Sequence, residues 1–239
     1  PLELRAGLVA SVANRKALYA AGASAPSKRP LQRLRTACCR AGWGQVNKYM
    51  AQEVIFTLFS KGHIVDPCQG YAYSSLGTAR RVLRRHPELW ESFSNVLAMR
   101  QAGASSDGTV NGPVKSLLFA LRTCGGCFLN PGLLQLPGEA GSLREVWLTE
   151  KDGKKFGHDV RQALRMTQWR EVTQRREGFG GIEDGVDRTP TLELISKRRT
   201  MGLERYPLRC IMAAAVPTRQ RLFQQGAVDS PDCPHCPGM

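Results

Sequence analysis

Two cysteine pairs have spacing that could do chemistry in this chain of 239 residues. Cys233 and Cys236 form a CxxC in a proline-rich turn, PDCPHC. Thiolates two residues apart can span adjacent corners of a tetrahedron at about 2.3 Å each, which is half the ligand set of a structural zinc site. His235 lies between the two thiols and is a poor third ligand, so the pair needs two more ligands from elsewhere. Two free thiols in a tail account for the same residues equally well. Cys124 and Cys127 make a second CxxC around two glycines. A redox motif follows a strand and opens a helix, whose N-terminus lowers the first thiol's pKa; here the motif follows a helical segment. A zinc site shared by both pairs and a bend of small buried residues are its other readings. Cys38, Cys39, Cys68 and Cys210 lie in apolar or helical surroundings and read as packing residues.

Other catalytic constellations are missing from the sequence. His63, His86, His158 and His235 show no HxH or HExxH spacing, and neither GxxxxGK[ST] nor GxGxxG occurs. EDGVD at 183–187 clusters carboxylates that could hold a divalent ion, but a solvated loop explains them at lower cost. The expectation is a noncatalytic chain, with a thiol enzyme using Cys124 and Cys127 as a minor rival that requires a depressed Cys124 pKa.

Charge is the strongest signal. Lys and Arg number 34 against 20 Asp and Glu, a net charge of +14, and 25 of the 34 are Arg. Arg forks bind phosphates in bidentate fashion, so such a surface expects a polyanion. The cations cluster as Arg33, Arg35 and Arg40; Arg80, Arg81, Arg84 and Arg85; Arg161, Arg165, Arg175 and Arg176; and Lys197, Arg198 and Arg199. Each cluster alone is a solvated helix face; together they favour binding to a phosphate backbone, RNA or DNA, without an argument for sequence readout. No run approaches the roughly 20 apolar residues of a membrane helix, so no membrane partner is expected. PLELRAGLVA is no secretory signal, and the missing initiator Met suggests a fragment. The thiols are therefore expected to be reduced or metal-bound, in an intracellular protein.

The elements that must position these groups read as mostly helical. Leu4, Leu8 and Val12 predict an amphipathic helix over 3–20 with these residues on its apolar face. AGASAPSKRP breaks it. A helix from Leu31 ends at Gly42 and Gly44, and an apolar helix over 46–60 closes at Gly62. Asp66 before Pro67 predicts an N-cap. The arginine helix follows, then a helix from Pro87 to Gly103. ASSDGTVNG at 104–112 is the most loop-like run and divides the chain into 1–107 and 108–239. Pro113 opens another helix. Between Cys124 and Phe156 the helical period fades, and Asp152-Gly153 predicts the turn of a hairpin near 146–156; Ser142 and Glu145 offer a capping box instead. Asp159 then caps a long helix carrying Val160, Leu164, Thr167 and Val172. Helices beginning at Thr189, Pro207 and Pro217 complete a mainly α, irregular multi-helix assembly with no internal repeat.

The segment LRCIMAAAVPTRQRLFQQGAVDSPDCPHC resembles the stretch after the polymerase domain of non-LTR retrotransposon reverse transcriptases. The matching positions are Thr218, Arg219, Arg221, Leu222, Gly226, Asp229, Cys233 and Cys236. LRTACCRAGWG, EVIFTLFSKGHIVDP and the ARRVLRR helix resemble the thumb and connector region of such elements. The resemblance implies a basic, thumb- or connector-like region over 1–107 and, over 108–239, a helical region ending at the start of a zinc knuckle. It also implies zinc on Cys233 and Cys236, completed by a later His and Cys, and nucleic-acid contacts from Arg219 and Arg221. The family's Tyr-x-Asp-Asp metal-binding turn is absent here. The implied role is therefore accessory: holding template RNA or target DNA beside the polymerase domain of the same parent polypeptide, in the nucleus. A stand-alone basic structural or interaction protein is the alternative.

Overall fold

The computed structural model describes residues 2–44, 50–59, 61–101, 112–176, 181–182, 210–213, 222–223 and 226–231, with single positions 179 and 193. The chain is mainly helical with a small antiparallel sheet. A first helical arm runs as α1 (Leu2–Leu8), a π-helical stretch (Val9–Asn14) and α2 (Arg15–Ala17). There follow α3 (Lys28–Trp43), α4 (Gln52–Leu58), α5 (Gly62–Val65), α6 (Pro67–Arg85), α7 (Leu89–Gln101) and α8 (Pro113–Thr123). Strands β1 (Cys127–Asn130), β2 (Leu133–Pro137) and β3 (Leu143–Trp147) then lead into α9 (Gly153–Arg175).

The first arm differs from its predicted orientation. Leu4, Leu8 and Val12 are 61%, 58% and 50% exposed, while Ala6, Val9, Ala10 and Asn14 are buried. Small side chains let this arm lie close against α3, where Ala6, Val9 and Ala10 join Cys38, Cys39 and Trp43. Asn14 fixes the arm lengthwise: its side-chain amide donates to the carbonyls of Ile64 at 2.7 Å and Val65 at 2.9 Å, and accepts from the Cys38 thiol at 3.2 Å. That polar anchor, invisible to hydrophobic periodicity, outweighs the leucine stripe.

Of the predicted helix over 46–60, the described part is α4, and the chain then turns sharply into α5. Gly62 makes the turn possible, since a Cβ there would stand 2.0 Å from the Phe56 carbonyl oxygen. Asp66 caps α6 as its sequence predicts, its Oδ1 accepting from the Cys68 amide at 2.9 Å with Pro67 in the first turn.

The β element lies earlier than 146–156. β2 is the centre of a three-stranded sheet of order β1-β2-β3, with Phe128 opposite Leu134 and Leu134 opposite Val146. Asp152 turns no hairpin: its Oδ1 accepts from the amides of Lys154 at 2.8 Å and Lys155 at 3.2 Å, so it is the N-cap of α9. Asp159 consequently falls inside that helix, and Glu145 falls inside β3 instead of a capping box.

Leu134, Leu136 and Val146 on the inner face of the sheet pack with Phe156, Val160, Ala163 and Leu164 of α9, Leu76 of α6 and Leu117, Ala120 and Leu121 of α8. The 104–111 part of the boundary stretch lies outside the described residues, and this core draws side chains from both sides of it. A buried polar knot reinforces it. The Ala21 carbonyl accepts from Ser75 Oγ at 2.8 Å and from Ser116 Oγ, which also bonds the Tyr71 hydroxyl. A third cluster joins Ala51 and Val54 to Met166, Trp169 and Val172. Most of each helix expected from Thr189, Pro207 and Pro217 lies outside the described residues, as do residues 183–187. Cys210 and Ala213 are packed into the cluster beneath the first arm, and the Ala51 amide donates to the Ala213 carbonyl at 2.9 Å.

Candidate nucleic-acid interface

The arginine clusters divide by environment. On α3, Arg33 and Arg40 are seven residues apart, two turns along one face, and both are exposed. Arg35 points the other way. Its Nη2 and Nε donate to Asp66 Oδ2 at 2.7 and 3.0 Å, its Nη1 to Glu53 Oε1 at 3.1 Å, and its guanidinium lies 5.6 Å from the Phe56 ring centroid. Burial lowers the guanidinium pKa, yet the carboxylates of Asp66 and Glu53 outweigh it and raise the pKa overall. Arg35 is therefore a structural cation, and its expected place in a nucleic-acid surface is corrected by its burial.

The α6 cluster splits in the same way. Arg80 is buried and donates to the Glu150 carbonyl at 2.8 Å through Nε and to the Lys151 carbonyl at 2.9 Å through Nη2, stacked on Phe156 at 5.6 Å. It ties α6 to the approach to α9 and leaves the expected set. Arg81, Arg84 and Arg85 remain exposed. Arg81 reaches back to the Gly77 carbonyl at 3.3 Å, and Arg84 Nη1 donates to the Lys151 carbonyl at 3.2 Å. That bond brings the end of α6 beside the start of α9, where Lys151 and Lys154 are also exposed. The resulting ridge of Arg81, Arg84, Arg85, Lys151 and Lys154 is one that sequence spacing could not assemble. Two carboxylates between α6 and α9 are engaged: Glu150 with Lys155 at 3.4 Å, and Asp152 in capping.

On α9, Arg161 and Arg165 are one turn apart. Arg161 Nη1 donates to the Tyr73 hydroxyl at 3.1 Å with its guanidinium 5.8 Å over that ring, and Arg165 stands 5.7 Å over Trp169. At the far end Arg175 lies 3.8 Å from Glu171 and 4.0 Å from Glu53, and Arg176 follows it half-buried. Lys197, Arg198, Arg199, Arg219 and Arg221 lie outside the described residues, as do Cys233 and Cys236.

Among the described residues no three His, Cys, Asp or Glu side chains group as a metal site. Cys124 is buried, and burial drives its thiol pKa up, the opposite of what a reactive thiolate needs. Cys38 and Cys39 are buried and Cys68 half-buried, with burial first among the causes that raise their thiols to about 11, 12 and 12. Among the described residues no helix is long and apolar enough to cross a membrane.

Sequence reading missed Lys61, His63 and Tyr73. Tyr73 bonds Arg161 through its hydroxyl, His63 lies within electrostatic reach of both Lys61 and Arg161, and His63 packs edge-on to Tyr73 with ring centroids 5.4 Å apart. The one sequence signal for Lys61 and His63 was the KGH run around Gly62. No family model, no curated protein and no solved structure matches this chain.

Proposed function

We propose that this chain is a noncatalytic, nucleic-acid-binding accessory region of a retrotransposon reverse transcriptase, holding template RNA or target DNA against exposed arginine faces. The observation that carries the binding is the ridge at the α6–α9 junction, where Arg81, Arg84, Arg85, Lys151 and Lys154 face solvent together. Unneutralised cations on one surface gain most from a polyanion that releases its counterions on binding. The reverse-transcriptase assignment rests on the likeness of residues 208–236 to the post-polymerase stretch of that family. With it come a polymerase domain in the same polypeptide, a nuclear location, and zinc on Cys233 and Cys236 when two further ligands are supplied.

Salt-dependent binding tests the nucleic-acid reading. Short RNA and DNA duplexes of unrelated sequence are expected to bind with similar affinities that fall steeply with salt. Replacing Arg81, Arg84 and Arg85 together by Gln is expected to flatten the log–log salt slope by about 2 to 3 units, each lost phosphate contact removing about 0.7 to 0.9. An affinity insensitive to salt would overturn the reading and leave a basic interaction protein with an acidic protein partner as the better account.

A further inference from the structure

We propose that Arg15, Lys61, His63, Tyr73, Arg161 and Arg165 form a track for the phosphodiester backbone of a nucleic acid, separate from the α6–α9 ridge. The proposal rests on the nucleic-acid reading and gives it a second location on different elements.

Two of these cations share a recess, and one of them also acts on His63 together with the cations of α9. Arg15 and Lys61 line one groove of about 270 Å³ between the first arm and α5, together with Ser11 and the carboxylate of Glu3. His63 on α5, two residues beyond Lys61, stands against Tyr73 of α6 and lies within electrostatic reach of Arg161 and Arg165 on α9. Gly157, one turn before Arg161, allows the approach of α6 to α9, since a Cβ there would meet the Tyr73 hydroxyl at 2.9 Å. Among the described residues Arg15, Lys61 and Arg161 pair with no carboxylate: Arg161 spends one donor on the Tyr73 hydroxyl, and its other donors are left for a ligand. Confining like charges around a half-buried imidazole raises the energy of the empty protein, and an anion relieves it. Because the cations come from α2, from the residue before α5 and from α9 rather than from one element, a polymer with repeating phosphates matches them better than a single headgroup.

His63 reports on this track. It is faced by Lys61 before α5, by Tyr73 from α6 and by Arg161 and Arg165 from α9. Burial first, and then Arg161, Arg165 and Lys61, hold its pKa down at about 4. The imidazole is thus neutral at physiological pH. A phosphodiester, whose charge is constant across this range, offsets those cations and raises the His63 pKa. By linkage, binding then strengthens as pH falls through the raised pKa, by up to tenfold for each unit of the rise.

The test follows the His63 ring resonances of the full chain by NMR against pH, alone and with saturating short oligo-dT or oligo-U at low salt. The expected result is a His63 pKa raised by about one unit or more with either oligonucleotide. Lys61→Gln, at an exposed position whose side chain has no partner among the described residues, is expected to weaken binding several-fold at neutral pH and to reduce the rise. Arg161→Gln is expected to do the same, with circular dichroism checking that its lost Tyr73 bond leaves the fold intact. If the oligonucleotides bind but His63 does not move, the track is wrong while the nucleic-acid reading stands. If neither oligonucleotide binds, both fall. A His63 shift with phosphatidylserine vesicles and none with oligonucleotides also overturns the proposal.

Discussion

Two arginines of similar sequence surroundings can have opposite jobs, and Arg33 and Arg35 illustrate it. Both sit on α3, yet one faces water and the other joins Asp66 and Glu53 in a largely buried ion-pair network. Removing one partner of such a network leaves an uncompensated charge inside the protein, and that loss exceeds the net value of the pair. Arg35→Met is therefore expected to destabilise the fold by about 3 to 5 kcal/mol in urea unfolding. Arg33→Gln should stay within about 0.5 kcal/mol of the parent. Equal effects from the two would mean that the Asp66 pair does not hold α3 to α6. Arg80 follows the same logic through backbone carbonyls, so substituting all four arginines of its cluster would mix a stability loss with a binding loss.

Caps decide where elements begin. Asp66 both caps α6 and receives Arg35, which joins a local backbone function to a long-range one. Asp152 takes two amides at the start of α9 and sets the 23-residue helix on which Phe156, Val160 and Leu164 reach the core. Asp152→Ala is expected to cost about 1 kcal/mol by chemical denaturation, with Asp152→Asn close to the parent because Asn caps comparably. A turn residue in a hairpin would respond differently, since Ala and Asn differ there mainly in their tolerance of a left-handed backbone. Equal losses from Ala and Asn would contradict the capping role.

At the scale of the molecule, one apolar core passes from α6 through α8 and the sheet to α9 and so takes side chains from both sides of residues 104–112. Leu76 and Leu164 are both fully buried in it. Leu76→Ala and Leu164→Ala are each expected to lower stability by about 2 to 5 kcal/mol, through one transition followed alike by circular dichroism and tryptophan fluorescence. Two separate transitions, each moved by one substitution only, would show that 1–107 and 108–239 fold independently. The surface of this body carries its charge unevenly. The α6–α9 ridge and the track through His63 both use α6 and α9, so the packing that buries the core also gathers the cations.

The sequence by itself determined the fold class, because helical periodicity, Asp66-Pro67 and the fading of the helical period after Cys124 are local signals, written within a few residues of what they specify. It also determined the excess of positive charge. It misplaced the β element because Asp152-Gly153 is chemically suited both to a turn and to a helix start, and only the pairing of β2 with both its neighbours removes that ambiguity. It reversed the face of the first helix because the large residues Leu4, Leu8 and Val12 outweigh Ala6 and Ala10 in any pattern, whereas close packing against α3 favours the small ones. The tertiary structure alone decided which arginines are surface and which are structure. Partners such as Glu53, Asp66 and the Glu150 carbonyl lie 18 to 70 residues away from the arginines they hold. It alone brought His63 and Tyr73 to Arg161, since side-chain electrostatics depend on distance in space and a linear pattern records only distance along the chain.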